Sequence, residues 1–225
     1  MKKKSILILG VYRSGTSSLA IYLGEQIGSR ILEPWGIRKY IPSYPISSVA
    51  DKYNTILKSI VNQKPKQCKE NLFHFLVELV EYFGIDNTIF ITRKNFEEHI
   101  LSFTNLMYAK YKFDEHFKKT GIKDFSFLNN MAKSWKISDL PKSYLHNQEL
   151  QDKYRFLISK RNHLLLKLSS HFEKKIIWYE DLYGKDRNLS LDIIKSWKFD
   201  INYNLLNEQL DPKFKYMKKE EFRLL

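Results

Sequence analysis

Two glycines and a group of hydroxyl side chains follow a short apolar run near the start of the chain. Gly10 and Gly15 lie five positions apart in GVYRSGTSSL, and Ser14, Thr16 and Ser17 surround the second glycine. Glycines let a backbone turn tightly and direct successive N–H groups inward, and a helix that begins there adds the positive end of its dipole. The spacing therefore predicts a cradle for an anion such as a phosphate.

The position of the basic side chain distinguishes this loop from the loop of nucleoside triphosphatases. In those enzymes a lysine follows the second glycine and reaches the β and γ phosphates, whereas Thr16 stands at that position here. The cation lies inside the loop instead, at Arg13. A glycine-bearing turn before a capped helix is the plain alternative, but the flanking strand and helix favour anion binding.

Apolar patterning predicts the elements that must position this loop, with strands and helices in alternation. The predicted strands are Ser5–Leu9, Ser29–Leu32, Lys66–Lys69, Asn87–Thr92 and Lys174–Trp178. The predicted helices are Thr16–Gln26 with Gly28 as its stop, Asp51–Asn62, Leu72–Phe83, Phe96–Lys112, Gln148–Phe172 and Leu189–Trp197. Such alternation is typical of an α/β fold, a three-layer sandwich with a central parallel sheet. We expect one domain over residues 1–225.

Composition bounds the classes of function. The 225 residues carry a formal net charge of +13, which favours polyanionic partners, although a solvated basic surface explains the charge equally well. Cys68 is the single cysteine, so no internal disulfide and no zinc motif is expected. The basic start MKKKSILILG resembles a signal peptide but lacks a good cleavage site, and no apolar run is long enough to span a membrane. A cytoplasmic location is predicted.

The residues Arg13-Ser14-Gly15-Thr16-Ser17 match the pattern [KR]SGT[ST]. With this loop the chain resembles the sulfotransferases that use 3′-phosphoadenosine 5′-phosphosulfate (PAPS) and have a P-loop-like nucleotide-hydrolase fold. The resemblance implies that these five residues hold the 5′-phosphosulfate of the donor. It also implies that no metal is required, because a sulfuryl donor has no β,γ-phosphate pair for a lysine and Mg²⁺ to clamp.

Two further motifs carry the resemblance. Arg93 ends NTIFITR, and Ser102 lies nine positions later in a predicted helix; in the family such a pair binds the 3′-phosphate of the cofactor. The run Trp178-Tyr179-Glu180-Asp181-Leu182 is similar to a YEDL-like segment whose acidic side chains tie helix ends and loops. A glycosidase pair is the alternative for Glu180 and Asp181, but neighbours at a strand end point in opposite directions.

Sulfuryl transfer needs a base for the acceptor hydroxyl and cations or N–H donors around the sulfuryl group. Arg13 suits the second task, and Lys69 joins it because Lys69-Glu70 is similar to a pair in bacterial relatives. The base is predicted to be Glu33, in a turn that resembles GEPF, with His74 as the second candidate. His99 is interpreted as structural or adjacent to the cofactor.

Two alternatives remain open at this level. A small-molecule kinase of the same fold would require Mg²⁺ ligands and the missing lysine. A basic module that binds nucleic acid or another polyanion is permitted by charge and aromatic content, but no nucleic-acid motif is present, so no nucleic-acid partner is expected. The acceptor is expected to be a hydroxyl of a glycan, lipid or small molecule, on which Trp35, Tyr40, Tyr44 or Tyr108 could stack.

Overall fold

The computed structural model describes residues 5–28, 30–32, 55–61, 71–122, 140–184, 188–196 and 201–210. Five strands form one parallel sheet in the order β2-β3-β1-β4-β5. They are β1 Ser5–Gly10, β2 Arg30–Leu32, β3 Thr55–Ile60, β4 Thr88–Thr92 and β5 Ile177–Trp178. The expected α/β class with a central parallel sheet is confirmed.

Helices connect these strands. They are α1 Thr16–Ile27, α2 Leu72–Phe83, α3 Phe96–Thr120, α4 Lys142–Leu145, α5 Gln148–His171, α6 Tyr179–Tyr183, α7 Asn188–Ser196 and α8 Tyr203–Gln209, with a 3₁₀ turn at Ile85–Asn87. Among the described residues, no helix is both long and apolar enough to cross a membrane.

Strand β1 lies at the centre of the sheet because it pairs with β3 on one side and with β4 on the other. Ile6 and Ile8 belong to a buried cluster with residues of α1, α7 and α8. Leu7 and Leu9 are equally buried and point to the opposite face, since side chains alternate along a strand. Helix α2 contacts β1 there. Helices thus cover both faces, which fits a three-layer sandwich.

The sequence marks the ends of the helices by cap residues. Asn71 caps α2, where its Oδ1 accepts a hydrogen bond from the backbone N–H of His74 at 2.9 Å. Gly28 ends α1 as expected, with φ of 60° and its N–H donating to the carbonyl of Gly24. Helix α3 runs eight residues beyond the predicted end because the next stop signal is Gly121, with φ of 70°.

One predicted helix is wrong. Asp51–Asn62 was expected to be helical, but Thr55–Ile60 forms β3 and pairs with both β1 and β2. Apolar residues at 53, 56, 57, 60 and 61 match helical spacing, whereas a strand buried on both faces has no alternation to reveal it. The predicted strand Lys66–Lys69 lies outside the described residues.

The chain divides into two compact units. The sheet unit comprises Met1–Lys94 with Arg161–Leu225, and the helical unit comprises Asn95–Lys160. In the helical unit α3 packs on the first half of α5, where Arg155 forms a two-bond ion pair with Glu97 at 2.6 and 2.5 Å. The expectation of a single domain over residues 1–225 stays a prediction.

Because β1 is buried on both faces, we expect truncation of Ile8 to alanine to lower the free energy of unfolding by about 2–5 kcal/mol. Leu166→Ala is the matched control, since 47% of Leu166 is exposed; it should change stability by at most about 0.5 kcal/mol. Urea unfolding measures both. Equal losses would contradict the central position of β1.

Candidate functional site

The loop between β1 and α1 lies at the carboxyl end of the central strand, where open parallel sheets bind their ligands. Its backbone is tightly folded: Arg13 has φ of 64° and Gly15 has φ of 81°. The buried Ser14 closes the turn, with its Oγ donating to the carbonyl of Val11 at 2.6 Å. Alternation of left-handed residues with others forms the concave backbone that binds anions.

Neighbouring atoms lie so close to the backbone at position 10 that only glycine fits there. A Cβ on Gly10 would meet the side-chain methyl of Thr16, and would lie 2.9 Å from both the carbonyl oxygen of Ile91 and Oγ of Ser14. Thr16 itself is buried. The residue that replaces the lysine of nucleoside triphosphatases therefore packs inside the loop.

The first turn of α1 is suited to an anion. Gly15 is its N-cap and has no side chain to accept a hydrogen bond from the first amides, and no acidic residue lies in the first turn of this helix. The partial positive charge of a helix N-terminus attracts anions. The amides of Thr16 and Ser17 lie in this first turn, at the end of α1 that carries the partial positive charge.

Basic side chains from three other elements contact the loop. From β3, Lys58 donates its Nζ hydrogen bond to Oγ of Ser17 at 2.9 Å. After β4, Arg93 donates from Nε to the carbonyl oxygen of Arg13 at 2.8 Å. On α5, the guanidinium of Arg161 lies 4.6 Å from the ring centre of Tyr12. Since β3 and β4 flank β1, positive charge lies on both sides of the loop.

Arg161 is held against the same edge of the sheet. Its neighbour Asn162 accepts a hydrogen bond from Oγ1 of Thr92, the last residue of β4, at 2.7 Å. Burial lowers the pKa of the Arg161 guanidinium, while Tyr12 acts in the opposite direction. Arginine nonetheless stays charged throughout the physiological pH range, so Arg161 gives the loop a permanent half-buried positive charge.

Two tyrosines of α6 lie beneath the loop. The hydroxyl of Tyr183 donates to the carbonyl oxygen of Gly15 at 2.9 Å. The ring of Tyr179 lies 4.0 Å from the guanidinium carbon of Arg93 and 4.8 Å from the ring of Tyr183. The sequence drew attention to the segment after β5 through Glu180 and Asp181, but its contacts with the loop are made by Tyr183 directly and by Tyr179 through Arg93.

The acidic residues of that segment have the structural role expected of them. Glu180 Oε2 accepts a hydrogen bond from the backbone N–H of Lys94 at 2.8 Å, and Asp181 pairs with Nζ of Lys94 at 2.6 Å. They lie on α6 rather than at a strand end, so the argument from strand geometry was wrong. Together they fix the chain directly after Arg93.

The other predicted site residues are distributed as follows. His74 is exposed on the first turn of α2. Arg93 belongs to the sheet unit and Ser102 to the helical unit, on α3, so their pairing stays a prediction. His99 is fully buried in the helical unit, as a structural residue would be. Glu33 and Lys69 lie outside the described residues.

Sequence reasoning missed Lys58 and Arg161. Lys58 was hidden by the helical prediction for its segment, although the β-branched residues of TILKSI were a signal for a strand. Arg161 carries no motif on a long charged helix. Within the described ranges, no group of three metal-binding side chains comes together.

Comparison of the chain with protein-family models, with curated proteins and with solved structures found no match. The function of the loop must therefore be inferred from its own geometry and chemistry.

Replacement of Lys58 by methionine tests the cation on the β3 side. Lys58→Met removes the ammonium group and retains most of the stem, so we expect inorganic pyrophosphate to bind about 10–100-fold more weakly, the worth of a charge-assisted hydrogen bond. Lys174→Met is the matched control. Lys174 pairs with Asp86 at 2.8 Å, and the two residues precede β5 and β4, so this ion pair lies at the edge of the sheet opposite to the loop. Titration calorimetry measures both, and equal affinities of the two variants would contradict the role of Lys58.

Proposed function

We propose that this protein is a sulfotransferase that transfers a sulfuryl group from PAPS to a hydroxyl acceptor. The observation that carries the proposal is the contact of Lys58 with Ser17, in a loop where Thr16 replaces the usual lysine. It supports an anion site whose charge is balanced by side chains of the protein. The resemblance of Arg13–Ser17 to the sulfotransferase loop supplies the identity of the anion.

The surroundings of Ser17 favour this reaction over a kinase of the same fold. In nucleoside triphosphatases the hydroxyl after the loop lysine coordinates Mg²⁺ between the phosphates. Here Ser17 is that residue, and an ammonium group already donates to its oxygen at 2.9 Å. A second cation at the same oxygen would be repelled by Lys58.

The proposed reaction is an in-line displacement at sulfur. The acceptor oxygen forms a bond to sulfur while the bond from sulfur to the bridging oxygen breaks, and adenosine 3′,5′-bisphosphate leaves with the bonding electron pair. The acceptor proton goes to a base. Arg13, the amides of the first turn of α1 and Lys58 stabilise the negative charge that grows on the bridging oxygen.

Two base candidates follow from position. Glu33 comes directly after β2, which ends at the same edge of the sheet as Gly10 because β2, β3 and β1 are parallel. His74 lies on the first turn of α2, whose last turn leads into the start of β4. Its first turn therefore lies toward the ligand-binding edge. Glu33 is the preferred base, since Pro34 restricts its backbone to extended geometry.

Incubation with radiolabelled PAPS in EDTA, over a panel of glycans, lipid headgroups, phenols and tyrosine peptides, tests the proposed reaction. We expect labelled product with at least one class of hydroxyl acceptor, and undiminished rates in EDTA because the charges are supplied by side chains. Release of adenosine 3′,5′-bisphosphate can be measured in the same way for every acceptor, because it is the second product of each transfer. No transfer from PAPS, together with Mg²⁺-dependent transfer of phosphate from ATP to the same acceptors, would indicate the kinase instead.

Arg93 is proposed to bind the 3′-phosphate while its Nε holds the carbonyl of Arg13. Arg93→Ala should therefore weaken adenosine 3′,5′-bisphosphate by roughly 2–5 kcal/mol, the effect of truncating one partner of a charge pair. Adenosine 5′-phosphate should lose only about 1 kcal/mol, through the loop hydrogen bond. Calorimetry with both ligands measures the difference. Equal losses would show that Arg93 acts through the loop alone.

A further inference from the structure

The aromatic residues of α6 make the closest side-chain approach to the end of the loop. A Cβ placed on Gly15 would lie 2.5 Å from Cε2 of Tyr183 and 2.9 Å from Cδ2 of Tyr179. The two rings therefore pack directly on the Gly15 backbone. The Tyr183 hydroxyl also donates to the Gly15 carbonyl at 2.9 Å, which makes the contact directional.

The same pair of rings reaches the other end of the turn through Arg93. Tyr179 supports the guanidinium of Arg93, 4.0 Å from its ring centre, and Arg93 donates to the carbonyl of Arg13 at 2.8 Å. The carbonyls of Arg13 and Gly15 are thus both bonded to one connected group of side chains. In a trans peptide the N–H points away from the carbonyl, so the bonds to the Gly15 carbonyl, which also accepts from the N–H of Leu19 at 3.1 Å, fix the amide of Thr16. The amide of Ser14 closes the turn itself by donating to the carbonyl of Val11 at 3.3 Å.

The loop conformation needs such support. Arg13 has φ of 64°, a left-handed conformation that L-residues other than glycine, asparagine and aspartate seldom adopt. Without contacts that favour it, the backbone of Arg13 would relax to an extended or right-handed conformation. That change would rotate the adjoining peptide groups and disperse the anion-binding amides.

We propose that Tyr183 and Tyr179 are positioning residues that hold the loop Gly10–Gly15 in its anion-binding conformation before the ligand arrives. The inference rests on the proposed function only in that the loop binds the 5′ end of the cofactor. If this support is lost, the loop relaxes in a fraction of the molecules. The apparent affinity for any anion at the loop is then the intrinsic affinity multiplied by the fraction that keeps the anion-binding conformation.

The protonation state of Tyr183 suits this role. Burial, reinforced by Tyr179, raises the pKa of the Tyr183 phenol well above its usual value. The hydroxyl therefore stays a donor over the whole pH range in which the protein would act. The bond to Gly15 is consequently expected to be independent of pH near neutrality.

Tyr183 also belongs to the core cluster around α1, α7 and α8, so a purely structural role is the competing explanation. The two roles differ in one measurable respect. A structural role lowers the free energy of unfolding but leaves the affinity of the folded protein unchanged. A positioning role lowers the affinity of the folded protein as well.

Tyr183→Phe separates these roles, because it removes the hydroxyl and keeps the ring. We expect it to weaken inorganic pyrophosphate, adenosine 5′-phosphate and adenosine 3′,5′-bisphosphate by the same factor, about 3–10-fold, the worth of one hydrogen bond. Tyr22→Phe is the matched control, since Tyr22 packs against the same cluster and contributes no bond to Gly15. Titration calorimetry well below the unfolding temperature measures all three ligands.

A second pair of variants tests Tyr179 while leaving the Tyr183 hydroxyl in place. Tyr179→Phe keeps a ring beneath Arg93 and should bind all three ligands as the wild type does. Tyr179→Leu removes the ring and should weaken all three, because Arg93 loses its support. Affinities equal to the wild type in both Tyr183→Phe and Tyr179→Leu would overturn the inference, as would equal losses in Tyr22→Phe.

These outcomes are distinct from failure of the proposed function. A wild-type protein that binds pyrophosphate but not adenosine 3′,5′-bisphosphate would refute PAPS as the donor, while the loss in Tyr183→Phe would still support loop positioning. A wild-type protein that binds none of the three ligands would overturn both.

Discussion

The pairing of β1 between β3 and β4 is the constraint on which the site depends. Because all three strands are parallel, their carboxyl ends meet at one edge, and the loop after Gly10 opens between its two neighbours. Each neighbour then supplies a basic residue to the loop: Lys58 within β3 and Arg93 directly after β4. Both faces of β1 are covered, so its aliphatic residues are buried along the whole strand.

The same constraint brings positive charge to a loop that lacks the usual lysine. The lysine position is filled by Thr16, which packs against Gly10, while basic side chains reach the loop from elements that are distant in sequence. The backbone of Arg13 has a left-handed conformation, Arg93 donates to its carbonyl, and Tyr183 of α6 donates to the carbonyl of Gly15. Charge and shape are thus supplied by neighbours of the loop as much as by the loop itself.

Local signals in the sequence predicted most of the elements and the loop. Leu72–Phe83 has its predicted bounds because Asn71 and Gly84 mark its ends, and the structural role of Glu180 and Asp181 was also anticipated. Strand β3 was missed because a strand buried on both faces has no alternation, and its apolar spacing imitated a helix. Lys58 and Arg161 were missed because only tertiary contacts bring them to the loop. Lys58 contacts Ser17, which is 41 positions away in the sequence, and Arg161 lies against the ring of Tyr12.

The central claim is that this loop serves a sulfuryl donor whose charge is met by side chains alone. Calorimetric titration of the wild-type protein with adenosine 3′,5′-bisphosphate in EDTA, beside ATP with and without Mg²⁺, tests it most directly. We expect the bisphosphate to bind in EDTA, and Mg²⁺ to bring no gain in the affinity for ATP, because Lys58 already donates to Ser17. Binding of ATP that requires Mg²⁺, with no binding of the bisphosphate, would contradict the claim.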